Sequence, residues 1–139
     1  MPVFYDTHAH LGRPEFEVDL PEVVARAADA GIAKIVTLGT DLASSVRAIK
    51  LAEEYPNIFA GVGWHPSHAL EAPNDLRPAL HELAKHPKVV ALGETGLDYY
   101  RLPSKKPGVT AADDAHTKRG RSSCFASIWR WPRKWASPV

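Results

Sequence analysis

Hydrophobic and polar positions along the first hundred residues follow two recurring rhythms. Residues 3–9 (VFYDTHA) start apolar and β-prone and then turn polar. Residues 34–40 (KIVTLGT) form a short continuous apolar run, as expected for a strand buried on both faces, and residues 58–63 (IFAGVG) and 88–94 (KVVALGE) read as a third and a fourth strand. Between these runs the apolar period changes to that of a helix. Asp19 with Glu22 three residues later forms a capping-box pattern, with Asp in the Ser/Thr position. Val23, Val24, Ala27 and Ala28 follow at helical spacing, and Gly31 suits the left-handed residue that ends a helix. Asp41 is placed to cap a second helix with Leu42, Val46, Ile49 and Ala52 on one side, stopped by Pro56. Asn74 is placed to cap a third, with Leu76, Leu80 and Leu83 as its apolar positions. Pro78 falls in its tolerated first turn and Pro87 ends it.

The predicted strands begin near residues 3, 34, 58 and 88. Alternation of strand and helix at roughly 30 residues per unit argues for a parallel α/β fold. Four such units make an open, flavodoxin-sized sheet, or the N-terminal half of a (β/α)8 TIM barrel, which takes about 250 residues. Periodicity alone does not separate the two. A chain of 139 residues, 45% hydrophobic and 24% charged, has globular rather than disordered composition. No apolar run approaches the ~20 residues of a membrane helix, and MPVFYDTHAH has no secretory pattern. The single cysteine, Cys124, excludes an internal disulfide and a cysteine-based zinc site. This fits a reducing cytoplasm and turns any metal site towards histidine and carboxylate ligands.

The net charge of +1 hides a division. Residues 118–139 hold six of the 17 basic residues, none of the 16 acidic ones, and three of the four Trp; residues 1–117 are left with a net charge of −5. We therefore treat 1–117, the strand–helix body, and 118–139, a basic, Trp-rich tail, as different material.

Polar chemistry gathers at the carboxyl ends of the strands, where parallel α/β folds place their sites. His8 and His10 lie two apart at the end of the first strand, a spacing that aims two imidazoles to one side. Asp6 shares their parity and is a candidate to orient one of them. The third strand ends in Gly63-Trp64-His65-Pro66-Ser67-His68 and the fourth in Gly93-Glu94-Thr95-Gly96-Leu97-Asp98. Each residue alone has a plain structural explanation: a hydrogen-bonded His65, a loop His68, a surface Glu94. Together they point to a metal site. His81 and His86 lie on or after the third helix and read as surface, and His116 carries no signal.

These motifs resemble a known family. Phe4-Tyr5-Asp6-Thr7-His8-Ala9-His10-Leu11 is similar to the first signature of the TatD-related deoxyribonucleases, metal-dependent hydrolases built on a (β/α)8 barrel. Gly63-Trp64-His65-Pro66 resembles that family's Gly-x-His-Pro turn, and Leu92-Gly93-Glu94-Thr95-Gly96-Leu97-Asp98-Tyr99-Tyr100-Arg101 its fourth-strand motif. Gly12 departs from the pattern, which usually has Asp or Asn there. The resemblance implies that His8 and His10 bind one divalent ion, that Glu94 bridges two, and that His65 faces the substrate pocket near a phosphate. Glu94 and His65 are thus the catalytic candidates, and His8, His10 and Glu94 the metal ligands. The implied cofactor is a divalent ion (Mg, Mn or Zn), with two ions in the full-length family, and the implied partner is DNA or another nucleic acid. The family's further ligands lie on later strands, beyond residue 139. Three ligands in place of roughly twice that number imply weak or single-ion binding here.

Residues 102–117 read as a loop, and the expected fourth helix is replaced by the basic tail, where Pro132 would break a helix. Residues 126–138 can be back-translated so that a one-base shift yields an amphipathic helix ending in Gly-Leu-Pro. The codons are chosen freely apart from those of Trp. On this reading the chain is a frameshifted, truncated reading frame whose tail is out of frame and poorly ordered. Two other functions stay open: a non-catalytic fragment, and a nucleic-acid-binding module that uses the tail's cations and Trp rings. Half a barrel also leaves two parallel sheet edges and one sheet face uncovered, so aggregation or self-association is expected.

Overall fold

The computed structural model describes residues 3–100, 102 and 110–129. In chain order it contains β1 (Phe4–Ala9), a 3-10 turn (Pro14–Phe16), α1 (Leu20–Asp29), β2 (Ile32–Leu38), α2 (Leu42–Glu54) and β3 (Ile58–Val62). A second 3-10 turn (Pro66–His68), α3 (Arg77–Ala84), β4 (Val89–Leu92) and α4 (Ala111–Trp129) follow. The four strands form one parallel sheet in the order β1-β2-β3-β4. Sequential order with crossovers of one hand sets the connecting helices on the same face.

The helix-bearing face holds the core. Leu20 and Val24 of α1 and Ala48 and Ala52 of α2 pack against Ile35 of β2 and Ile58 and Ala60 of β3. On β3 these side chains are fully buried, and Val62 with them. The buried stripe of α2 is Ser45, Ala48 and Ala52, with Val46 exposed, so the helix is rotated from the apolar side read in the sequence. The reason is at its start. A Cβ on Gly39 would stand 2.3 Å from Ser45 Oγ, so the first turn of α2 lies directly on the end of β2.

Two predicted helix starts differ. Asp19 precedes α1 but makes no cap hydrogen bond, and its carboxylate meets Arg26 at 3.6 Å instead. Asn74 does not cap α3, whose N-cap is Leu76; the neighbouring Asp75 accepts the Arg77 N–H at 3.0 Å. Asp41 does cap α2. It accepts the Ser44 N–H at 2.7 Å, while Ser44 Oγ accepts the Asp41 N–H at 2.9 Å. Gly31 has φ of 91°, the left-handed value expected of it.

Residues 111–117, read as loop, belong to α4, which runs on across residue 118. Its buried positions are Thr117, Arg121, Cys124 and Ile128, one stripe at helical spacing. Cys124 and Ile128 pack with Trp64, Ala69, Leu76 and Leu80. Arg121 donates from Nε to the Pro66 carbonyl at 3.0 Å and from Nη1 to the Asp98 carbonyl. Pro132 and the rest of the tail after residue 129 lie outside the described residues.

The opposite face of the sheet carries no helix among the described residues. β1 is exposed along almost its whole length and β4 along most of it. Lys34 lies over the rings of Tyr5 and Phe59 at 5.6 and 5.5 Å, and Tyr5 remains 63% exposed.

Candidate metal centre

The carboxyl ends of the strands are held in place by backbone bonds that continue beyond the ladder. Gly39 N–H donates to Gly61 O, Gly93 N–H to Val62 O, His65 N–H to Thr40 O and Glu94 N–H to Gly39 O, at 2.9, 2.9, 2.9 and 3.2 Å. Leu11 N–H donates to the fully buried Thr37 Oγ1 at 3.1 Å, fixing the chain that leaves β1. Gly63 N–H donates to the buried Ser45 Oγ at 3.2 Å, which ties the end of β3 to α2. The mouth of the sheet is therefore a frame on which side chains can be aimed.

β1 aims its histidines through an irregularity. Asp6 pairs with Ile35 and Ala9 with Thr37, so three steps along β1 match two along β2. One extra residue re-aims the side chains that follow it. Asp6 does not touch either imidazole; its Oδ1 accepts the His8 N–H at 2.9 Å. It thus supports the backbone of the histidine pair rather than a ring, a correction to the parity argument.

His8, His10 and Glu94 converge, each offering one donor atom, all within 4.8 Å of one another. Glu94 Oε2 lies 3.5 Å from His8 Nε2 and 3.2 Å from His10 Nε2. Its other oxygen, Oε1, lies 3.4 Å from His65 Nε2. The two sides of the carboxylate face different chemistry. His10 Nδ1 sits 3.3 Å from the Leu38 carbonyl, which can only accept, so this nitrogen carries the proton of the neutral ring. His10 Nε2 then presents a lone pair to a carboxylate oxygen, an arrangement that suits a cation between them. His65 is the reverse. Its Nδ1 accepts the Ser67 N–H at 3.0 Å, with Ser67 Oγ at 2.6 Å, so Nε2 carries the proton towards Glu94 Oε1.

The spacing can be tested against coordination chemistry. Donors about 2.1 Å from one ion stand roughly 3.0 Å apart at right angles and 3.4 Å apart in a tetrahedron. The Glu94–imidazole separations of 3.2 and 3.5 Å match that range. The Leu38 carbonyl on His10 is the outer contact that metal-bound histidines usually have. The residues present fit a divalent cation.

A polar cleft of about 550 Å³ opens beside the cluster, lined by His10, Arg13, Thr40, His65, Glu94 and Tyr100 among others. His68 also faces it, with its Nδ1 3.5 Å from Glu71. His86 pairs with Glu53 at 3.1 Å, away from the cleft lining. Ser67, which sets the His65 ring, and the Leu38 carbonyl, which sets His10, were not foreseen. A serine two residues after a strand-end histidine was the readable signal for the first; a backbone carbonyl leaves none.

The model of the family described as TatD related DNase matches residues 5–139. An uncharacterized metal-dependent hydrolase, YabD of Bacillus subtilis, is 42% identical over 104 residues, covering 75% of this chain and 41% of the relative. The 3'-5' ssDNA/RNA exonuclease TatD of Shigella flexneri is 39% identical over 97 residues, covering 70% of this chain and 37% of the relative. Among solved structures, the Escherichia coli TatD homolog YjjV superposes with a TM-score of 0.68 at 28% identity, covering 91% of this chain and 47% of the other. A TatD family hydrolase of Entamoeba histolytica gives 0.64 at 27% identity, with coverage of 86% and 44%. The chain spans less than half the length of each of these proteins, and its four βα units correspond to the N-terminal half of a TIM barrel. By sequence and by fold, this chain belongs to the TatD related DNase family.

Proposed function

We propose that the strand-end cluster is part of the centre of a metal-dependent phosphodiesterase acting on single-stranded nucleic acid. The observation that carries this reading is the convergence of His8, His10 and Glu94, from opposite edges of the sheet, on one point. The relative named as a single-stranded DNA and RNA exonuclease supports the substrate class. Two imidazoles and a carboxylate suit Mg, Mn or Zn, and with three protein donors the chain holds one ion, weakly. His8, His10 and Glu94 would hold the ion, which would supply charge compensation for the phosphoryl oxygens and a water acidic enough to act near neutral pH. Glu94 holds Oε2 towards the imidazole pair and Oε1 towards His65. His65, fixed by Ser67, offers an Nε2–H at the edge of the cleft, a donor suited to a phosphoryl oxygen. Arg13 adds a positive charge across the same cleft.

The test is cleavage of an end-labelled single-stranded oligonucleotide in Mg, Mn or Zn. Cleavage that disappears with chelator and in His8→Ala and Glu94→Ala supports the reading. Metal-dependent cleavage that survives both substitutions contradicts it. A second reading, a non-catalytic segment, is favoured by the 37–47% share of its relatives that the chain spans. It predicts metal binding without turnover. Binding lost on removal of 118–139, without turnover, would instead assign the activity to the basic tail.

The uncovered sheet face and the free edges of β1 and β4 support self-association of the 139-residue chain. No helix among the described residues is long and apolar enough to cross a membrane. We propose a cytoplasmic location, which a chain with one cysteine and no disulfide fits.

A further inference from the structure

The cleft beside the metal ligands does not end at His10. A cavity of about 100 Å³ continues it over the loop after β1, sharing His10, Arg13 and Thr40 with the cleft. A third, of about 210 Å³, shares Gly12, Arg13 and Arg47 with the second. Through these shared residues the three cavities follow one another from the cluster, past the loop, to Arg47, Lys50 and Leu51 of α2, and are together called the groove.

The far end of this groove has a distinct chemistry. Leu11, Leu20 and Leu51 form an apolar floor, while Arg13, Arg47 and Lys50 stand around it with one acid, Glu17. The ion pairs seen among the described residues use Arg26, Arg77, Lys85 and histidines, and none of these three cations. Asp41, which lines the middle of the groove, accepts from the Ser44 N–H and hydroxyl and also feels the charge of Arg47, though no ion pair joins the two. Gly12 keeps the passage open. A Cβ there would meet Arg47 Cβ at 3.7 Å and Leu51 Cδ1 at 3.9 Å, so anything larger would project into the space between them. Within a body of net charge −5, three cations around an apolar slot are a local reversal of sign.

A flat apolar ring bearing an anion fits such a slot. Building on the phosphodiesterase reading, we propose that the groove takes the nucleotide adjacent to the scissile phosphate of a single strand. Its base rests on Leu11, Leu20 and Leu51, and its phosphate lies between Arg13, Arg47 and Lys50. Backbone contacts of this kind position the strand without reading sequence. They also make binding depend on salt, by about 0.7 in the logarithmic slope per phosphate neutralised on a single strand.

The test is fluorescence anisotropy of a labelled eight-nucleotide deoxythymidine oligomer with the full 139-residue chain, in chelator, over a series of salt concentrations. Arg47→Gln/Lys50→Gln is expected to weaken binding about tenfold and to flatten the salt slope by about 0.7, the share of the one phosphate they hold. Gly12→Asp, whose Cβ is accommodated, is expected to weaken it in the same direction by putting a carboxylate among the cations. Unchanged affinity and slope in both variants would overturn the proposal. So would loss of binding that follows Arg133→Gln/Lys134→Gln while the groove variants bind normally, since the tail would then be the binding surface. Because the chelator removes any ion, these outcomes are independent of the cleavage test. The groove can fail while His8-dependent cleavage stands, and cleavage can fail while the groove binds.

Discussion

A Cβ built at Gly63 would stand 2.5 Å from the Gly93 carbonyl carbon and 2.7 Å from its oxygen, so the backbone entering Glu94 occupies the space of a side chain. Gly63→Ala must push that peptide away. It is expected to destabilise the fold by about 1–3 kcal/mol, the usual cost of overpacking, and to weaken metal binding by moving the carboxylate. Urea unfolding read beside a metal titration checks both; a variant with unchanged affinity would separate Gly63 from the site. At this scale much was legible. His8, His10, His65 and Glu94 each stand where a strand ends, and parallel sheets gather strand ends at one mouth. What was not legible is how each ring is turned. That depends on Ser67, two residues on, whose serine was a readable signal, and on the Leu38 carbonyl, 28 residues away, which no residue type announces.

Individual elements show where hydrophobic pattern suffices and where it does not. The four strands form where their apolar runs lie, while α2 forms where expected but turned off its apolar side; Asp41 caps it because its carboxylate reaches the third backbone amide. Asp41→Ala is expected to cost about 1 kcal/mol. The Ser44 N–H, then its hydroxyl, hold the Asp41 carboxyl below its ordinary value of 3.8. A folded-state value below the unfolded one means the stabilisation is complete above the unfolded value and is lost as pH falls through the folded one. The stability difference between wild type and Asp41→Ala should therefore hold constant from neutral pH to about 5 and shrink below 4; denaturant midpoints across that range would show it. The start of α3 was misread by two residues: its N-cap is Leu76, and Asp75, not Asn74, reaches Arg77. α4 escaped the pattern altogether, since its buried stripe includes Thr117 and Arg121 alongside Cys124 and Ile128. An arginine looks like surface until its partners, the carbonyls of Pro66 and Asp98, are placed. Burial pushes the Cys124 thiol above its usual range. Its reaction with a disulfide reagent at pH 8 should be many times slower in the native chain than in denaturant. Equal rates would mean that α4 does not dock on Trp64 and Leu80.

The whole molecule is a parallel sheet with helices on one face and nothing described on the other. Phe4, Tyr5 and Val90 are each more than half exposed, on the two strands whose outer edges lack a neighbour. The free edges of β1 and β4 run in the same direction, so β4 of one copy can pair in parallel with β1 of another, and a two-fold axis would close eight strands. Light scattering on the eluting chain should find dimers or larger species over monomer at micromolar concentration. A monomer with one cooperative, high-temperature unfolding transition would contradict this. The βα alternation was legible from unit length, but periodicity could not separate a half barrel from an open sheet; the motifs' family resemblance pointed to the barrel, and the match to about half of two solved TatD proteins bears it out. The claim beneath all of this is that two imidazoles and one carboxylate surround a single cation. Calorimetric titration of the metal-free chain with Mn or Zn tests it most directly. One ion per chain, lost in His10→Ala and in Glu94→Gln, is the predicted result. Heat that is absent in the wild type, or unchanged in those two variants, would contradict it.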